Sequence, residues 1–90
     1  MIKVRSLRLP KRLLLRRLSS GIQGETCAGE SVVHVDPTRM NVGHTLYHEL
    51  LHFNHPEWSE NKVQRETARF WRAASWREKA ALLRLFGKAR

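Results

Sequence analysis

The chain has 90 residues, of which 41% are apolar, and these figures predict one compact domain rather than a multidomain enzyme or a disordered chain. Seventeen Lys and Arg side chains against eight Asp and Glu side chains give a net charge of +9 at pH 7. A charge of this sign and size is typical of proteins that bind nucleic acid or an acidic membrane surface.

The charge is distributed unevenly along the chain. Residues 1–17 carry seven basic and no acidic side chains, and residues 61–90 carry nine basic and two acidic ones. Residues 18–60 carry one basic and six acidic side chains, together with all five histidines. This acidic, histidine-rich centre is typical of a cation site, while the basic termini make nucleic acid a second candidate partner.

Cysteine content and apolar runs indicate the compartment. The single cysteine, Cys27, excludes an internal disulfide and suits a reducing cytoplasm, which is the localisation we expect. No apolar run approaches the length of a membrane span. Because no internal disulfide can form, we expect the core, or a bound metal, to hold the chain folded.

The first third of the chain contains two β patterns and one helix pattern. Near-alternate apolar side chains in residues 2–9 predict a short strand, and Pro10 is a favourable first residue for a helix over residues 10–18. One basic amphipathic helix over the same segment is the alternative. Residues 19–24 predict a turn, and residues 29–35 predict a second strand.

Three helices are predicted in the remainder of the chain. Residues 42–54 have apolar side chains every three or four positions, with Asn41 as a candidate N-cap and Pro56 as a stop. The second and third helices are each capped by a serine and cover about residues 60–74 and 75–86.

Together these elements predict a small α+β domain. A short β-sheet or ribbon packs against the helix over residues 42–54 and two further helices. Residues 1–28 form a basic N-terminal segment with a connector, and residues 29–90 form the metal-binding core of the same single domain.

The helix over residues 42–54 contains the sequence His-Glu-Leu-Leu-His at residues 48–52. Positions four apart on an α-helix differ by about 40° around its axis, so His48 and His52 project from one face and can bind one zinc ion. Glu49 lies about 100° from His48, which suits a general base that takes a proton from a metal-activated water. The pattern predicts hydrolysis of a peptide bond or of another amide.

A catalytic zinc ion normally has three protein ligands, so one more is needed. Glu60 is the leading candidate, because it opens the helix that follows the Pro56 break and lies towards the apolar stripe of that helix. Glu66, His55 and Glu57 are the alternatives.

Two further residues of the helix over residues 42–54 each have two possible roles. His44 lies one turn before His48, where it either orients the site or the substrate or is a solvated surface residue. Tyr47 either stabilises an oxyanion with its phenol or packs in the core.

The stretch from His44 to Trp71 resembles the minimal gluzincin-type zinc metallopeptidase domains of bacteriophage and bacterial genomes. It shares with them the HELLH sequence, a following proline and a Ser-Glu pair that opens an amphipathic helix. A weaker similarity, at residues 66–70, is to the ImmA/IrrE group of metallopeptidase-like regulators. The resemblance covers about residues 29–74.

The resemblance implies a zincin-like fold and a set of site residues. His48, His52 and Glu60 would be zinc ligands, and Glu49 would be the catalytic glutamate. The strand over residues 29–35 would be the edge strand that such domains place beside the metal helix.

The leading functional prediction is a zinc-dependent metallopeptidase that acts on a polypeptide substrate. One alternative is a basic nucleic-acid-binding or regulatory protein with a structural or vestigial zinc site. A helical interaction protein without metal is the other.

Overall fold

The computed structural model describes residues 2–38 and 41–88, which form one three-stranded sheet and three α-helices. The strands are β1 (Arg12–Leu15), β2 (Gly24–Cys27) and β3 (Val32–Val35). The α-helices are α1 (Val42–Asn54), α2 (Glu60–Ala73) and α3 (Trp76–Arg84). Short 3₁₀ turns cover Val4–Ser6, Ala28–Glu30 and Leu85–Lys88. The predicted α+β class is confirmed.

The sheet has the strand order β1-β3-β2, in which β1 runs parallel and β2 antiparallel to β3. Val33 and Val35 of β3 are fully buried in the same core as Leu46 and Leu50 of α1. Because side chains alternate between the two faces of a strand, α1 covers one face of the sheet. The sheet order makes β2 an edge strand, and it lies against α1.

Helices α2 and α3 pack against α1 and complete the core. The ring of Tyr47 on α1 stacks on Phe70 of α2, with the ring centroids 3.9 Å apart. Val63 on α2 and Leu82 on α3 are also fully buried. Burial of a large apolar side chain contributes about 1.5–3 kcal/mol, so packing rather than intrinsic propensity holds these short helices in place.

The strand predicted for residues 2–9 is wrong, because part of this segment forms the 3₁₀ turn Val4–Ser6. Val4 and Leu7 lie three positions apart and are both buried against the core. The backbone amide of Val4 donates a hydrogen bond to the carboxylate of Glu78 on α3. This long-range bond satisfies a backbone group that a strand partner would otherwise have to pair.

The helix predicted from Pro10 is also wrong, as is the alternative amphipathic helix, because Arg12–Leu15 form strand β1. The backbone amide of Arg16 donates to the carbonyl of Val35 at 3.1 Å, and two of the three leucines of β1 pack against the core. Consecutive leucines favour a helix locally. Pairing with β3 overrides this preference, because it satisfies the backbone and buries alternate side chains.

Strand β2 lies where the sequence predicts the end of a turn and the connector before residue 29. Gly24–Cys27 pair antiparallel with β3, after the Ala28–Glu30 turn reverses the chain. The strand predicted over residues 29–35 is confirmed for Val32–Val35. It is the central strand of the sheet, however, and not the edge strand that the family resemblance implies.

The three helices predicted after residue 41 are confirmed as α1, α2 and α3, with small changes at their ends. The hydroxyls of Ser59 and Ser75 accept hydrogen bonds from backbone amides in the first turns of α2 and α3, as expected for N-caps. Asn41 is wrong as a side-chain cap, because it has a φ of 58° and its side chain makes no capping bond. None of the helices within residues 2–38 and 41–88 is long and apolar enough to cross a membrane.

Candidate metal centre

Helix α1 presents the imidazoles of His48 and His52 side by side. Their ring centroids lie 4.9 Å apart, as expected for residues one turn apart on the same face. The side chains are 16% and 24% exposed, so both rings are partly covered by the protein yet reach solvent. A small ligand or ion can therefore reach both rings from outside.

Glu60, the first residue of α2, faces both histidines. Nε2 of His48 lies 2.7 Å from Oε1 of Glu60, and Nε2 of His52 lies 2.9 Å from Oε2. The chain reverses between α1 and α2 through a turn in which the rings of His55 and Trp58 stack at 3.8 Å. This turn brings the first residue of α2 back over the face of α1 that carries the two histidines.

These three side chains form a group that could hold a metal ion. One ligand atom from each of His48, His52 and Glu60 lies within 4.8 Å of the other two. Two imidazole nitrogens and one carboxylate oxygen are a donor set that Zn²⁺ accepts readily. The residues therefore fit the metal that the family resemblance implies.

The other three candidates for the third ligand lie outside this group. The carboxylate of Glu66 pairs with Arg69 of the same helix at 3.8 Å. Nδ1 of His55 lies 3.7 Å from Oε2 of Glu57, and both residues belong to the turn before α2. Among the described residues, the geometry thus brings Glu60 to the two histidines and leaves the alternatives apart.

Glu49 is buried between α1 and the edge strand β2, with 8% of its surface exposed. Its Oε1 accepts a hydrogen bond from the hydroxyl of Thr26 at 2.6 Å, and the same hydroxyl lies 3.0 Å from the Glu49 carbonyl. Thr26 therefore restricts the rotamer of the Glu49 side chain. Glu49 is outside the ligand group although it adjoins His48 in sequence, which is the arrangement expected of a general base.

Two clefts meet at Glu49. The larger, of about 560 Å³, lies between residues 21–24, one face of α1 and the start of α2. The smaller, of about 330 Å³, is lined by Thr26, Glu49, His52 and Pro56. His48 and Glu60 line the larger cleft and His52 lines the smaller one, so the ligand group borders both; we call the two clefts together the groove.

His44 lies in the larger cleft, and its ring meets Trp71 edge-on at a centroid distance of 5.9 Å. Burial, and secondly the charge of His48, lower the pKa of His44 below its ordinary value of 6.5. The imidazole is therefore neutral at neutral pH, and it can donate or accept a hydrogen bond in the cleft. This position favours an orienting role over that of a fully solvated surface residue.

Tyr47 is a core residue. Its side chain is fully buried, and its hydroxyl donates a hydrogen bond to the carbonyl of Ile2 at 2.7 Å. Burial, followed by the negative charges of Glu66 and Glu78, raises the pKa of Tyr47. Of the two alternatives for this residue, the structure supports packing.

Two site residues, Gly24 and Thr26, could not be identified from the sequence pattern. Both lie on β2 against α1, and Thr26 is the hydrogen-bond donor to Glu49. The only signal was the preference of Thr and other β-formers for strands, and the four-residue segment is too short to be distinguished from a turn. Gln23 and Gln64 add two further polar side chains to the larger cleft.

Comparisons with protein-family models, with curated proteins and with solved structures found no match to this chain. The functional argument therefore depends on the motif and on the geometry around it.

Proposed function

We propose that the protein is a zinc-dependent metallopeptidase, with His48, His52 and Glu60 as zinc ligands and Glu49 as the general base. One observation carries the proposal. The two oxygens of Glu60 face Nε2 of both histidines, while Glu49, beside His48 on α1, is held towards β2 by Thr26. Ligands and base therefore occupy separate positions at one site.

The number of ligands supports a catalytic rather than a structural zinc site. Structural sites almost always have four protein ligands, whereas catalytic sites have three and keep one position open. Within residues 2–38 and 41–88, the group consists of His48, His52 and Glu60, and it borders an open cleft. The same count argues against the alternative of a regulatory protein with a purely structural zinc ion.

Each side chain has a defined task in the proposed reaction. Zinc held by the three ligands would polarise the substrate carbonyl and lower the pKa of a water molecule. Glu49, with Thr26 donating to its Oε1, would accept a proton on Oε2 and pass it to the leaving amine. The hydrogen bond from Thr26 keeps this carboxylate in one orientation, which reduces the cost of arranging it for each turnover.

The shape of the site supports an extended polypeptide substrate. The amide of Asp36 donates to the carbonyl of Gln23 at 2.9 Å, and antiparallel hydrogen-bonded pairs alternate with non-bonded ones. The backbone groups of Gly24 and Thr26 therefore point away from β3, along the free edge beside the groove. A peptide can add there as a further strand and pass the ligand group.

The experiment that tests this proposal combines zinc content with hydrolysis of a pool of fluorogenic peptides. We expect about one zinc ion per wild-type chain, and we expect its loss in His48→Ala and in His52→Ala. Glu49→Gln should keep the zinc ion and lose hydrolysis. Glu57→Gln is the matched control, because this glutamate is exposed in the turn before α2.

Two outcomes would contradict the proposal. If both histidine variants keep the zinc content of the wild type, the metal is bound elsewhere. If Glu49→Gln hydrolyses peptides as fast as Glu57→Gln, Glu49 is not the base. Hydrolysis of simple amides but not of peptides would instead leave the chemistry intact and change the substrate class.

A further inference from the structure

Helix α2 carries a row of four exposed basic residues, which we call the α2 basic stripe. Its members are Lys62, Arg65, Arg69 and Arg72. They are spaced by three, four and three residues, so they fall within an arc of about 80° around the helix. The stripe is about 15 Å long, because the rise is about 1.5 Å per residue.

The α2 basic stripe points away from the rest of the protein. The buried side chains of the same helix are Val63, Thr67 and Phe70, and their mean direction lies about 150° from that of the stripe. Glu60, which belongs to the ligand group, also lies on the side of α2 away from the stripe, about 160° from the centre of the stripe. A partner on the stripe would therefore leave the groove open.

The charge of the stripe is largely unneutralised. Among the described residues, its one ion pair is between Arg69 and Glu66 at 3.8 Å, and the Arg69 side chain is 60% exposed there. Lys62 lies over the ring of Trp58, a contact that leaves its charge in place. A row of like charges that is mostly unpaired costs stability through self-repulsion, and a polyanion relieves that cost.

The geometry and composition of the stripe indicate which polyanion fits. Its residues are separated by about 4.5–6 Å along the helix axis, and their long, flexible side chains can reach phosphates of one strand, which rise by about 3.4 Å each. The side chains that flank the stripe are Asn61, Ala68 and Ala73, which are small and neutral, and Glu66, the partner of Arg69. None of them can insert into a lipid bilayer, so a membrane is a poorer match.

We propose that the α2 basic stripe is a docking surface for the phosphate backbone of duplex nucleic acid. Binding is independent of base sequence, because these side chains contact phosphates rather than base edges. The proposal does not depend on the peptidase chemistry. A single chain would thus hold a duplex on one face of α2 and act on a second ligand at the opposite face.

The test measures binding of the full chain, as purified, to a fluorescent DNA duplex of about 20 base pairs at several salt concentrations. Four phosphate contacts predict a slope of about −3.6 in a plot of log binding constant against log salt. Arg65→Gln with Arg69→Gln should reduce the slope by about 1.8 and weaken binding at least about tenfold. Glutamine preserves helix propensity, and circular dichroism checks the fold.

The matched control is Arg16→Gln with Arg17→Gln, which removes two exposed charges just after β1. It should bind within about threefold of the wild type. Equal weakening by both double variants, or no binding by the wild type at low salt, would overturn the proposal. So would binding of anionic lipid vesicles but not DNA, in which case Trp76, 72% exposed, would be the anchor to test. The readout is DNA binding and not hydrolysis, so failure of the peptidase proposal leaves this result unaffected.

Discussion

Gly24 on strand β2 lies so close to Glu49 on helix α1 that a Cβ atom at position 24 would be 2.7 Å from Cγ of Glu49. The same atom would be 2.8 Å from Cγ2 of Thr45. Both distances are shorter than van der Waals contact allows, so only glycine lets the edge strand approach α1 this closely. The position of the proposed base thus depends on a residue in another element.

Gly24→Ala should therefore damage both stability and hydrolysis. The added methyl group must displace β2 or the Glu49 side chain, and overpacking of this kind costs about 1–3 kcal/mol. The free energy of unfolding is measured by urea denaturation, and the rate with fluorogenic peptides. Gly29→Ala is the control, since nothing lies within 4 Å of a Cβ there. Equal stability of the two variants would contradict the close packing.

Thr26→Val should slow hydrolysis without releasing zinc. The valine keeps the shape of the side chain but removes the hydroxyl that donates to Oε1 of Glu49. Loss of such an orienting partner costs about 10–100-fold in activity at metal sites. Thr26→Ser retains the hydroxyl and should recover most of the rate. If serine and valine are equally slow, the hydroxyl does not position the base.

Replacement of Glu60 and of Glu66 should separate the two leading candidates for the third ligand. Glu60→Gln removes a carboxylate that faces both histidines, so zinc affinity should fall by more than the ~10–100-fold typical of an outer partner. Glu66→Gln should leave affinity unchanged, because this carboxylate pairs with Arg69. Competition with a fluorescent chelator measures the zinc affinity of both variants. The reverse order of effects would exclude the assignment of Glu60.

Zinc should stabilise the folded chain measurably. A ligand that binds only the native state adds about 2.7 kcal/mol at 100 times its dissociation constant. For a domain of this size that corresponds to a rise in Tm of about 10–20 °C. A chelator should reverse the shift, and His48→Ala should abolish it. A shift of equal size in that variant would mean that zinc binds at another site.

Stability should fall at alkaline pH because of Tyr47. Its pKa in the folded state is raised above the ordinary 10.0 by burial, so the folded chain retains a proton that the unfolded chain loses. The stabilising contribution is complete below pH 10.0 and disappears as pH rises towards the folded-state pKa. Tyr47→Phe should remove this decline, although it costs about 1–3 kcal/mol at neutral pH by leaving the Ile2 carbonyl unpaired.

The titration can be followed directly, because Tyr47 is the only tyrosine of the chain. Ultraviolet absorbance of tyrosinate should appear together with the loss of circular dichroism. Tyrosinate formation near pH 10.0 in a chain that is still folded would contradict the buried hydrogen bond.

Local interactions account for what the sequence predicted correctly. The limits of α1 and α2 follow from three- to four-residue apolar spacing, the Ser59 cap and the Pro56 break, all of which act within a few residues. The pairing of His48 with His52 follows from helix geometry alone. The fold class could be predicted on the same basis.

Long-range contacts determined the strands β1 and β2, the selection of Glu60 and the partner of Glu49. The three leucines of β1 form a strand only because β3 lies alongside them, and Gly24–Cys27 form one for the same reason. Helix spacing made Glu60 a candidate ligand. Its selection over Glu66 required the turn that folds α2 back onto α1. The partner of Glu49 is 23 residues away in sequence, a separation across which no periodic pattern carries information, so only the tertiary structure could identify Thr26.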